Sequence, residues 1–314
     1  MKPQETLLKA IRATINDQSL IENIALALDI SYDAAHRRAS GKSKFTIEET
    51  VKLCHFFKLS MDQLFSNTNQ YVLEKTNSIK TAEDFKAYLK KSSELLFPYS
   101  KTDATAFYSA KDIPLHYTIG GSVLAKFKLY VWLTILNSEN QIPFEIYKWE
   151  TSLLEETTAL VQIFEQVKRV EIWNDTTINS TLQQIMYFYE SGMLTYHYAQ
   201  QVIEDLKLCI QKIENQVQNN PNLELFYNEL LLLNNTVLFT NAKQAHFFIP
   251  HNMLSYYVAT DKKTCNEEQA FINQQLKNSK SLTKSGWKEQ KIFFNRMYQK
   301  IDFFQRKIEN HIMT

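Results

Sequence analysis

Glycine and proline are scarce in this chain, five and six among 314 residues. Both interrupt regular structure, glycine by its conformational freedom and proline by its fixed φ and missing N–H. A chain so poor in them is expected to run in long helices with few tight turns. The scarcity also bears on function. Wrapping a phosphate with backbone N–H groups takes glycines at set spacings, and the one adjacent pair, Gly120–Gly121, lacks them. A P-loop or dinucleotide-binding enzyme is therefore disfavoured. With 44% hydrophobic and 22% charged residues the chain reads as globular rather than disordered. At ~100–200 residues per domain its length suggests about two domains.

The first twenty residues, MKPQETLLKAIRATINDQSL, show no uninterrupted apolar core and no small-residue cleavage site, so no signal peptide is read. The most apolar stretch, Val123 to Leu136, is broken by Lys126 and Lys128 and falls short of the ~18–20 residues a membrane span needs. Cys54, Cys209 and Cys265 are odd in number and far apart, with no CxxC pair. That argues against a disulfide framework and against structural zinc. A cytoplasmic, reduced protein without membrane contact is expected. His246 and His251, with Asp261 and Cys265 nearby, do not have ligand spacing, so no metal and no cofactor are expected. Nucleophile-elbow, metalloprotease and phosphate-loop motifs are absent from the sequence, and the chain is not expected to be an enzyme.

Residues 6–65 read as five short helices. Ser19 with Glu22, and Thr46 with Glu49, have the capping-box spacing that starts a helix. Ile24, Ala25 and Leu28 would point inward on the second helix. Asp29 stands where a left-handed turn residue is needed, Ser31 caps a third helix, and Gly41 ends it. Val51, Leu53 and Phe56 mark the fourth helix and Ser60 to Phe65 the fifth.

This ordered set resembles the helix-turn-helix domain of the phage-repressor (Cro-type, XRE) transcription regulators. It rests on Ile24-Ala25, Leu28, Asp29-Ile30-Ser31, Ala35 and Gly41-Lys42, then Glu48-Glu49 to Leu53 and Ser60-Met61-Asp62-Gln63-Leu64. The resemblance covers about one fifth of the chain. It implies that the third helix enters the major groove of double-stranded DNA. Base reading would then fall to Tyr32, Asp33, His36 and Arg37, with Arg37 suited to guanine and Asp33 to the cytosine amino group. Ser31, Arg38, Ser40, Lys42 and Lys44 would hold backbone phosphates, which fixes register. Net charge offers little: residues 1–66 carry nine basic and eight acidic side chains, and the whole chain is at +1. Distribution says more. Arg37, Arg38, Lys42 and Lys44 lie between Asp33 and Glu48 with no acid among them. Elsewhere such a run is a solvated helix face; in this frame it falls where phosphates lie.

Residues 67–79 read as a linker, and 80–314 as a helical effector or dimerisation domain. Helices are expected at about 81–97 (stopped by Pro98), 122–136, 144–170, 176–191, 195–218, 266–277 and 285–312. The stretch 104–114 reads as loop or extended chain. Leu223 to Leu233 is apolar, Asn234–Asn235 signals a two-residue turn, and Thr236 to Thr240 alternates. That suggests a small β-hairpin, with His246 to Ile249 as a third strand, although 224–234 would also suit a buried helix. The fold class expected is mainly α: a five-helix, λ-repressor-like helix-turn-helix domain over 1–66 and a larger helical C-terminal domain with a small β-hairpin.

The function that follows is sequence-specific, DNA-binding transcription regulation. One helix-turn-helix buries too little surface for genomic specificity, so a homodimer spanning half-sites ~34 Å apart is expected. The C-terminal domain would supply that dimer or sense an effector, a small molecule or a peptide. The alternative is a protein- or peptide-interaction protein with a helical-repeat-like C-terminal domain. Helical pairs between 144 and 218 allow it, although no self-similar repeat of about 34 residues is present.

Overall fold

The computed structural model describes residues 3–15, 19–65, 73–136, 142–148, 153–230, 233–252, 254–284 and 286–311. The chain divides into two compact units, residues 1–72 and 73–314. Of the segment read as linker, 67–72 lies outside the described residues, as do Ser285 and Ile312 at the ends of the last expected helix.

Among its described residues the first unit has five helices: α1 (Pro3–Thr14), α2 (Leu20–Leu28), α3 (Tyr32–Ala39), α4 (Ile47–Phe56) and α5 (Met61–Phe65). Local chemistry sets their ends. Ser19 Oγ accepts from Glu22 N–H and Ser31 Oγ from Ala34 N–H. Thr46 and Glu49 form a reciprocal capping box at the start of α4. Asp29 closes α2 in the left-handed conformation (φ 55°, ψ 52°), and Gly41 follows α3 at φ 76°. Leu7, Leu8 and Ile11 of α1 join Ile24, Leu28, Ala35 and Leu53 in one core. Ala35 is fully buried, and its small side chain lets α3 sit close on that core.

The second unit overturns the mainly α expectation, because it is organised around an eight-stranded mixed sheet. Along the chain run β1 (Glu74–Lys75), α6 (Ala82–Ser100), β2 (Thr105–Ser109), α7 (Val123–Leu136), α8 (Leu153–Gln166), β3 (Lys168–Trp173), α9 (Asn179–Glu190) and α10 (Tyr196–Asn219). Then come β4 (Leu223–Tyr227), β5 (Thr236–Thr240), β6 (Ala245–Pro250), β7 (Tyr256–Ala259), α11 (Lys262–Lys277), β8 (Lys280–Ser281) and α12 (Trp287–His311). The spatial order is β1-β7-β6-β5-β2-β3-β4-β8. β2, β3 and β4 are parallel neighbours; β5 to β7 extend the sheet antiparallel from β2. The crossovers β2→β3 and β3→β4 step in the same direction, so right-handed connections put both sets of helices on one face.

Side chains alternate accordingly. Ala106, Tyr108, Trp173, Leu225, Phe239 and Phe248 face the large core under these helices. Ile172, Leu238, Phe247 and Ala259 face the opposite side, where α11 contributes Cys265 and Ile272. Both edge strands are two residues long and carry charge, with Glu74 paired to Lys91 and Lys280 to Glu229. Such edges resist pairing with another chain.

Four local corrections follow. Residues 104–114, read as loop or extended chain, hold the central strand β2, whereas 73–79, read as linker, contribute edge strand β1. The helix expected over 144–170 is α8 followed by β3; residues 149–152 lie outside the described set. The strand at 223–227 does not form a hairpin with β5 across Asn234–Asn235: it lies parallel to β3, with β2 and β3 between it and β5. The hairpin is β5–β6. Finally, α6 continues through Pro98 to Ser100. Proline removes one helical hydrogen bond, but this is the last turn, and Tyr99 anchors it, fully buried with its hydroxyl 2.6 Å from His246 Nδ1. The helices of 144–218 pack on a sheet rather than stacking into a repeat array.

Candidate nucleic-acid interface

The third helix is held from behind by three polar contacts. Arg38, on its inner side, forms a two-pronged pair with Glu49 of α4: Nε to Oε2 at 3.0 Å and Nη2 to Oε1 at 2.6 Å. Its Nη1 also donates to the Ala34 carbonyl, 3.2 Å away. Hydrogen bonding to Arg38 holds the Glu49 carboxyl below its usual pKa, against a smaller opposing effect of burial and with help from the Thr46 N–H. Glu49 thus serves two structures at once, the cap of α4 and the tether of α3.

Gln4 of α1 makes the third contact. Its amide nitrogen donates to the carbonyls of Arg38 (2.8 Å) and Ser43 (3.0 Å), and its oxygen accepts from Phe45 N–H at 3.3 Å. One side chain therefore fixes both the end of α3 and the turn that follows it. Gln4 and Glu49 have no local spacing relative to α3, being 34 and 11 residues from Arg38. Sequence pattern therefore gave no signal for Gln4, and for Glu49 only its part in the capping box with Thr46.

The outward side of α3 carries the side chains expected to read DNA. Tyr32, Asp33, His36 and Arg37 are all exposed, Tyr32 at 53% despite its large ring. Positions 32 and 36, and 33 and 37, are one helical turn apart, so the four form a single patch. Around it Ser31, Ser40, Lys42 and Lys44 are exposed as well. Ser31 Oγ is engaged by the Ala34 N–H, and Ser40 Oγ donates to the Arg37 carbonyl at 3.3 Å. Arg38 stands apart from this group. It is half-buried, and its guanidinium is taken up by Glu49 rather than turned outward with Lys42 and Lys44. The structure thus brings eight of the nine expected contact residues to the surface around α3 and commits the ninth, half-buried, to Glu49.

The BetR domain family, a family of helix-turn-helix DNA-binding domains, matches residues 5–92. No curated protein and no solved structure matches the chain. No helix among the described residues is long and apolar enough to cross a membrane, and no group of His, Cys, Asp and Glu among them could hold a metal ion.

Proposed function

We propose that this chain is a sequence-specific, DNA-binding transcription regulator of the phage-repressor (Cro-type) kind. It works as a cytoplasmic homodimer, and its second unit serves dimerisation or effector sensing. The observation that carries the reading is the two-sidedness of α3. Its inner side is fixed by Gln4, Glu49 and the core around Ala35, while its outer side offers four exposed side chains suited to base edges. Preorganised presentation of this kind lowers the ordering cost of binding. Tyr32, Asp33, His36 and Arg37 read bases; Ser31, Ser40, Lys42 and Lys44 hold phosphates. Arg38 acts as a positioning residue through Glu49. Chemistry has no part in this reading, which includes no catalytic group.

The test is selection of genomic fragments by the purified chain, followed by gel retardation of the recovered sequence at several salt concentrations. Two half-sites about one helical turn apart are expected. Arg37→Ala should cost about 1–3 kcal/mol of specific binding and relax the preference at one base pair. A chain that selects no common sequence, or an Arg37→Ala variant that binds it as well as the parent, would sink the reading.

A further inference from the structure

In the second unit a cavity of about 320 Å³ lies between the helix-covered face of the sheet and helices α7, α8 and α10. Its floor holds Arg169 of β3 with His116 and Tyr117 of the short 3-10 turn Leu115–Tyr117. Arg169 is 2% exposed and His116 6%. Arg169 Nη1 donates to the Tyr117 hydroxyl (2.9 Å) and lies 3.1 Å from His116 Nε2. His116 Nε2 also lies 3.4 Å from Glu171 Oε1, so it sits between the guanidinium and the carboxylate. Burial lowers the His116 pKa, which keeps the ring neutral.

Two buried nitrogens on this floor lack a hydrogen-bond partner, His116 Nδ1 and Arg169 Nε. The carboxylate nearest to Arg169 does not supply one. Glu171 approaches from the Nη1 side at 3.5 Å, and its oxygens are occupied by the Tyr117 hydroxyl and the Trp173 indole N–H, each at 2.9 Å. The Nε–Nη2 edge of Arg169, which matches a carboxylate two-pronged, carries only the Gln216 amide oxygen on Nη2 at 3.3 Å. Gln216 is half-buried and forms the longest of Arg169's hydrogen bonds, so it is the group an incoming carboxylate displaces.

The rim is of opposite character. Glu165 of α8 and Asp205 of α10 line the cavity, and Asp205 uses one oxygen on the Leu124 N–H at 3.1 Å, leaving the other. Counting Glu171, three carboxylates stand around two cations, Arg169 and Lys212, so a simple anion would enter against the net charge. Between floor and rim the walls are apolar, formed by Ile119, Leu124, Val161 and Leu208.

We propose that this cavity is a binding site for a small zwitterion, an α-amino acid with an apolar side chain. Its carboxylate takes the place of the Gln216 amide on the Nε–Nη2 edge of Arg169, its ammonium faces Glu165 and Asp205, and its side chain rests on the apolar wall. This deepens the sensor reading of the second unit by naming the ligand class. Binding is measured without DNA, so its failure and a failure of DNA reading are separate results.

Calorimetric titration of the full chain with L-leucine, isocaproate and isoamylamine tests it. The last two are leucine without its ammonium and without its carboxylate. Leucine, or another apolar amino acid from valine, isoleucine, methionine and phenylalanine, should bind and raise the Tm, with both truncated probes at least about tenfold weaker. Glu165→Gln, at an exposed helix position, should weaken binding several-fold, while Gln216→Ala should leave it unchanged or tighten it. The proposal is overturned if none of the five amino acids binds. It is equally overturned if either truncated probe binds as well as the amino acid, or if Glu165→Gln changes nothing.

Discussion

Each unit contains one arginine that organises its surroundings, and the two are used in opposite ways. Arg38 presents its Nε–Nη2 edge to Glu49, which fills it at 3.0 and 2.6 Å on a partly solvated helix surface. Arg169 is fully enclosed, meets Glu171 only at 3.5 Å from the Nη1 side, and leaves the same edge without a carboxylate. The first arrangement closes a joint between two helices and leaves nothing to recognise. The second keeps a charge in low dielectric, held by aromatic hydroxyl and imidazole beside a cavity. A filled fork makes structure; one left without a carboxylate beside a pocket is what the proposed site uses.

The largest expected effect separates them directly. Glu171→Gln removes the one charge that balances Arg169 inside the second unit, and breaking a buried pair from one side costs about 3–5 kcal/mol. Denaturant unfolding followed by tryptophan fluorescence reads this unit alone, because all four tryptophans lie beyond residue 131. A loss below about 1 kcal/mol would mean that the buried pair resembles a surface one, and the contrast would fail.

Glu49→Gln should cost less, about 1–2 kcal/mol of the first unit's stability, since water partly replaces the lost charge-assisted bonds. Its more informative effect is on DNA. Freed from Glu49, Arg38 no longer fixes the inner side of α3, so specific affinity should fall while non-specific binding, set by Lys42 and Lys44, stays. Equal loss of both would show that Glu49 matters only for folding.

What the sequence revealed follows the same division between local and distant causes. The first unit was legible because its signals are short: Ser31 and Thr46 at helix starts, Asp29 and Gly41 at ends. The exposed patch on α3 follows from those caps, while the contacts of Gln4 and Glu49 to Arg38 span 34 and 11 residues and leave no pattern. The sheet was hidden for a physical reason. In Lys168–Trp173 the buried face carries Arg169 and Glu171, so a strand covered on both sides looks half polar and reads as a continuation of the preceding helix. Parallel pairing adds to this, because β2, β3 and β4 meet through helical crossovers rather than turns. Asn234–Asn235 gave a sound turn signal, with Asn235 left-handed, but the strands it separates are not neighbours.

The smallest effect is the one acid should reveal. His116 is buried neutral, so its folded pKa lies below the unfolded value near ~6.5. As pH falls through that value the unfolded ring binds a proton that the folded ring refuses, and stability is lost. His246, lowered by burial as well, acts in the same direction. For Glu171, burial alone would raise the pKa, but His116, Arg169 and Tyr117 outweigh it and leave it lowered. Its contribution is therefore present above the ordinary carboxylate value and fades only below about pH 4.5. In the first unit Glu49 is lowered by Arg38, so that joint too weakens only in the carboxylate range. Between pH ~7.5 and ~5.5 the fluorescence-detected unfolding midpoint should thus fall as the histidines titrate, before Glu171 or Glu49 does, with Glu268, raised by burial, opposing the fall toward the acid end. His116→Gln should remove part of that slope at some cost in stability. A midpoint that holds steady over this interval would show that the two buried imidazoles do not govern the acid response of the second unit.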